Sequence, residues 1–162
     1  MPASTAHAPV FPEPAGFDDV PAPALQVAII YDDHVAYRRA VRLLANALCD
    51  HEMADEVRPL PWRFEDLQFQ PWRERALEAA EGADVFVIAT AGKSPLPQDV
   101  IDWLELSFAR RAAQPTAVIA LHNPDDDPHR FGALSEAIVR RLAEFAGLHF
   151  LEPAQLSLAC PR

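Results

Sequence analysis

A chain of 162 residues, half of them hydrophobic and 23% charged, is long enough for one domain with a full core and falls outside the disordered and fibrous classes. Its formal charge of -10 opposes a polyphosphate backbone, and Arg38, Arg39, Arg42, Arg140 and Arg141 read as solvated helix faces, so nucleic acid is excluded from the expected partners. The longest apolar runs are strand-length and no charged segment precedes an apolar one at the start, which points to a soluble, cytoplasmic protein with no membrane partner.

Residues 1–24 place Pro2, Pro9, Pro12, Pro14, Pro21 and Pro23 among small side chains without a period that could bury a face. That composition predicts a flexible, semi-extended leader before a single domain over 25–162. Within the leader, "FPEP" and "FDDV" are candidate docking peptides, although a spacer is the preferred reading. From Leu25 onward, strand and helix signals alternate.

"LQVAIIY" (25–31), "ADVFVIAT" (83–90) and "TAVIAL" (116–121) are nearly continuous apolar runs, as expected of strands covered on both faces. "VRPLPW" (57–62) carries Pro59 and Pro61, which lack an N–H for a ladder and so belong at a sheet edge; "LHFLE" (148–152) is short and reads as the other edge. Between them, helical spacing groups Val41, Leu44, Ala45 and Leu48, then Val100, Ile101, Leu104 and Phe108, then Leu134, Ile138, Leu142 and Phe145, with a shorter helix over 72–80. Gly147 reads as a helix C-cap. Five strands separated by helices predict an α/β, three-layer, doubly wound parallel sheet, and the order 2-1-3-4-5 puts the proline strand and the short strand outside. Cys49 and Cys160 match neither a redox pair nor a zinc spacing and read as reduced thiols.

In such a sheet, ligands bind beyond the carboxyl ends of the strands. This selects Asp32, Asp33 and His34 after strand 1; Thr90, Ala91, Gly92, Lys93 and Ser94 after strand 3; His122, Asn123, Asp125, Asp126 and Asp127 after strand 4; and Glu152 after strand 5. The pair Asp32–Asp33 has two readings, metal ligands or the start of a helix, and capping is preferred because a carboxylate at a helix N-terminus is favourable. "TAGKS" (90–94) is not a P-loop, since Val87 stands where that motif needs glycine. "LHNPDDDPHRFG" (121–132) offers donors suited to a divalent ion without a known metal spacing, and Asp127-Pro128 favours a turn and helix start.

"AIIYDDHVAYRRAVRLLANAL" (28–48) resembles the first strand and helix of response-regulator receiver domains, whose acidic pair helps bind magnesium. The resemblance implies Asp32 and Asp33 as weak Mg2+ ligands. It also implies an aspartyl nucleophile ending strand 3, where this chain has Ala89 or Thr90, and a lysine after strand 5, where it has Glu152. Without the carboxylate and the cation, phosphorelay chemistry is not expected.

"ADVFVIATAGKSPLPQDVIDWLE" (83–105) resembles the third strand, flavin-flanking loop and following helix of flavodoxins and FMN-dependent reductases. That likeness implies FMN or nucleotide binding by Thr90, Gly92, Lys93 and Ser94. "YDDHVAY" departs from it by placing carboxylates where the FMN phosphate would meet backbone amides. Trp62, Phe64 and Leu67, with Leu96, Pro97, Val100, Trp103 and Leu104, resemble motifs of a group of uncharacterised bacterial proteins, a likeness that implies no activity.

These readings favour a non-catalytic regulatory or interaction module with a degenerate receiver/flavodoxin-like cleft, acting on a protein partner or small ligand. The alternative is an FMN- or nucleotide-binding oxidoreductase or electron carrier. Homodimerisation through the helix carrying Trp103 and Leu106 is a third expectation, because both residues extend its apolar stripe.

Overall fold

The computed structural model describes residues 24–48 and 57–157. The predicted leader, apart from Ala24, and both cysteines lie outside the described residues. Five parallel strands, β1 (Leu25–Tyr31), β2 (Val57–Arg63), β3 (Val85–Ala89), β4 (Ala117–Leu121) and β5 (His149–Leu151), form one sheet in the order β2-β1-β3-β4-β5. The helices are α1 (His34–Leu48), α2 (Gln70–Ala80), α3 (Gln98–Arg111), α4 (Phe131–Phe145) and a short α5 (Pro153–Ser157), with a 3-10 turn at Asp66–Gln68. This is the expected α/β, doubly wound, flavodoxin-like topology. α2 starts two residues earlier than its spacing suggests because Pro71 sits in its first turn, where a missing N–H costs nothing.

Strand alternation sends side chains to two cores. On one face Ile30, Phe86, Ile88 and Val118 meet α2, α3 and α4; on the other Val27, Ile29, Val87 and Ile119 meet α1 and α5. Phe86 sits edge-on to both Trp103 and Phe108, with centroid separations of 6.5 and 5.2 Å. The tryptophan is fully buried and its Nε1–H donates to the Arg73 carbonyl at 3.3 Å. This corrects one route to a homodimer: Trp103 cannot reach a partner, and of the pair only Leu106 is half-exposed. Phe64, Leu67, Leu96, Val100 and Leu104 are likewise core residues, so both short tryptophan motifs encode packing.

Two helix faces also need correction. α1 buries Ala36 and Ala40, with Leu43 and Leu44 partly covered, whereas Val41 and Ala45 are exposed. α4 buries Gly132, Ser135, Val139 and Ala143, whereas Leu134 and Phe145 face outward, Phe145 at 91% exposure. The reason is close approach. Small residues let a helix lie near the sheet, and the long apolar side chains then fall on its flanks, where a count of large hydrophobics misplaces the stripe.

The ends of α4 are well specified. Leu148 N–H donates to the Ala143 carbonyl at 2.9 Å and Gly147 N–H to the Glu144 carbonyl at 3.1 Å, a Schellman motif that needs the left-handed Gly147 (φ 75°). At the outer edge, Phe64 N–H donates to Tyr31 O at 2.8 Å, so by alternation the backbone nitrogens of Val57, Pro59, Pro61 and Arg63 point away from β1. The two prolines carry no hydrogen there, and Arg63 N–H donates to Asp66 Oδ2 at 3.0 Å.

Among the described residues, no helix is long and apolar enough to cross a membrane.

Candidate functional site

The register Tyr31↔Ala89↔Leu121 brings the loops after β1, β3 and β4 together at the carboxyl edge. Asp33 precedes α1, and its Oδ1 accepts the Ala36 N–H at 2.8 Å. One orphan donor of the first turn is thereby satisfied, as the capping expectation requires. The other carboxylate oxygen lies 3.7 Å from Lys93 Nζ, a pair too exposed to contribute much. Asp32 acts between strands. Its N–H donates to Ala89 O at 3.0 Å, and its Oδ2 accepts the Ala91 N–H at 3.2 Å, tying the loop after β3 to the end of β1.

Thr90 lies beneath this surface. Its N–H and Oγ1 both donate to Leu121 O, at 2.9 and 3.4 Å, and its carbonyl accepts from Arg39 Nη1 at 3.5 Å. Ala89 and Thr90, the two positions compared with a receiver nucleophile, are both buried. Gly92 is buried with φ 74° and turns toward Asp127. Lys93 and Ser94 are exposed. A shallow depression of about 230 Å³ is lined by Asp33, Arg39, Lys93, Asn123 and Asp126, among others. Of the four residues proposed for a cofactor, only Lys93 is in its wall. The charges of that wall are mixed, two cations against two carboxylates.

The loop after β4 is internally bonded as well. Asn123 Oδ1 accepts the Asp125 N–H at 3.2 Å. Asp127 uses both oxygens on the start of α4, accepting from Gly132 N–H at 2.9 Å and Ala133 N–H at 3.0 Å. These bonds, Gly132 first, hold its carboxyl below the usual range, with His122 and Arg130 adding to the effect. The left-handed Arg130 (φ 59°) makes the turn that lets Asp127 reach back to the helix.

Behind that loop runs a chain of polar side chains that joins three elements. His122 Nδ1 lies 3.3 Å from Glu136 Oε2, Arg140 Nη2 donates to Glu136 Oε1 at 3.0 Å, and Arg140 also pairs with Glu152 while its guanidinium covers the Phe150 ring at 4.7 Å. A Cβ on Gly132 would fall 2.7 Å from His122 Cδ2, so a glycine is required for α4 to start against that ring. Glu152, which stands where receivers carry lysine, thus has its own cation. Sequence reading missed Glu136 and took Arg140 for part of a solvated helix face, whereas it pairs with Glu136 and Glu152. The i,i+4 spacing of Glu136 and Arg140 was a usable sign of a pair, but the links to His122 and Glu152 exist only after the strands are aligned.

Chemically, the edge offers hydrogen-bond acceptors already bonded to backbone donors. Ala36 N–H, which could meet an anion at the start of α1, is bonded to Asp33. Among the described residues, no group of three His, Cys, Asp or Glu side chains is arranged to hold a metal ion. No protein-family model matches the chain, and no curated protein matches it significantly.

Proposed function

We propose that this protein is a non-catalytic regulatory or interaction module of the cytoplasm, in which the edge used for chemistry by receivers and flavodoxins has become a structural joint. One observation carries the reading: Asp32, Asp33, Thr90 and Asp127 each use side-chain oxygens to bond backbone groups of a neighbouring loop, strand end or helix start. A group fixed in this way keeps the loops in register and is less available to a ligand. Incubation with acetyl phosphate and Mg2+, followed by intact-mass measurement, is expected to leave the mass unchanged. A phosphoryl gain mapped to Asp32 or Asp33 would overturn the reading.

The second reading, an FMN- or nucleotide-binding redox protein, draws on the depression with Lys93 in its wall. Its volume is below the usual range for a cofactor pocket, about 300–1,000 Å³. Incubation with FMN and desalting is expected to return colourless protein. A retained flavin absorption band would make the redox reading primary.

A further inference from the structure

Among the described residues, the face of the sheet covered by α1 is incompletely filled at the β2 side. A groove of about 300 Å³ there has Ile29 as floor, Tyr37, Val41, Leu44 and Ala45 on the helix side, and Val57 and Pro59 on the strand side. Val41 is 42% exposed, although it belongs to an apolar row. One turn outward, Arg38 and Arg42 border an adjoining depression with His34. The groove therefore has an apolar bed and a basic rim, on a chain whose net charge is -10.

We infer that this groove is the docking surface for the chain's own N-terminal segment, residues 10–20, "VFPEPAGFDDV". Its composition is the complement of the groove. Val10, Phe11, Phe17 and Val20 supply apolar anchors, Glu13, Asp18 and Asp19 supply charges opposite to Arg38 and Arg42, and residues 1–24 contain no Lys or Arg. Position supplies the second argument. The segment joins the sheet at Leu25, and the register partner of Leu25 on β2 is Val57, itself a groove residue. A four-residue link of polyproline II would span roughly 12 Å, which limits how far from Leu25 the segment can dock and keeps the Val57 side of the groove within reach.

The mode of docking follows from the edge beside it. With no N–H at Pro59 and Pro61 and the Arg63 amide bonded to Asp66, β2 gives an added strand few donors, and the segment docks through side chains. Tethering makes weak contacts sufficient, because a short linker holds the segment at an effective concentration of order millimolar. This inference concerns a different surface from the carboxyl-edge cleft and stands independently of the function proposed for that cleft.

The test is a nuclear Overhauser measurement on the full-length chain with labelled Phe rings and Ala, Ile, Leu, Met and Val methyls, so that Met53 and Ala54 report on the connection 49–56. Cross-peaks from Phe11 or Phe17 to Val41, Leu44 or Val57 methyls, unchanged on tenfold dilution and lost in Val41→Asp and in the Phe11→Ser/Phe17→Ser double variant, are expected. Absence of such cross-peaks in the unmodified chain overturns the inference. Cross-peaks that appear only between differently labelled molecules overturn it in favour of a second copy as occupant. Cross-peaks to these methyls from residues 49–56 in place of the two phenylalanines assign the groove to that connection and overturn it as well.

Discussion

The two faces of the sheet are built from different materials. Beneath α2, α3 and α4 lie Phe86, Trp103, Phe108, Leu67 and Leu104, large side chains fully enclosed. Beneath α1 and α5 the contacts are made by Ala36, Ala40, Val27, Ile29 and Val87, with a groove at one side among the described residues. The first arrangement concentrates apolar burial, worth about 1.5–3 kcal/mol for each large side chain. The second keeps α1 close to the strands and places its longer side chains on the flank of the helix. Packing of large side chains and close approach through small ones are thus assigned to opposite sides of one sheet.

Phe108→Ala should break the packed face most severely. A buried phenylalanine removed from its edge-on contact with Phe86 is expected to lower stability by about 3–5 kcal/mol, read as a reduced urea midpoint at unchanged slope. On the α1 side the strongest single point is the cap. Asp33→Ala is expected to cost about 1 kcal/mol in the same assay, with Asp33→Asn recovering most of it; equal losses for both variants would mean that charge, and not the bond to Ala36, is what matters.

Asp127 sharpens the comparison through pH. Its folded pKa lies below the ordinary 3.8, so the unfolded chain binds the proton more readily and the carboxylate stabilises the fold above that value. The contribution falls away as pH drops from about 4 through the folded pKa. Asp127→Asn should therefore flatten the acid limb of a stability-pH curve below about pH 4, and an unchanged limb would remove the cap from the account. The smallest effect is expected at Val41→Ser, within about 0.5 kcal/mol, because the side chain contributes little to the enclosed core. A loss several times larger would show that the groove is already part of that core.

Strand order was legible because Pro59 and Pro61 mark an edge and the Val/Ile runs mark the centre; no long-range information was needed. The Asp33 cap was legible for the same reason, since donor and acceptor are three residues apart. Reading failed where the chain substitutes smallness for hydrophobicity. Ala36, Ala40, Gly132, Ser135 and Ala143 give a weak apolar signal, yet they decide which way α1 and α4 face. The site was legible only as a set of loops. That Asp32 bonds Ala91, or that His122, Glu136, Arg140 and Glu152 form one chain, depends on strand register, which spacing within any one loop does not encode.

The outer edge of β2 has a consequence for behaviour in concentrated solution. A growing cross-β stack adds strands through consecutive outward amides, and here the run is interrupted at Pro59 and Pro61 and satisfied internally at Arg63. The opposite edge, β5, is only three residues long. Neither end of the sheet is a good seed for fibrils, so a chain with central strands as apolar as "VFVIA" is protected from polymerising through its folded state.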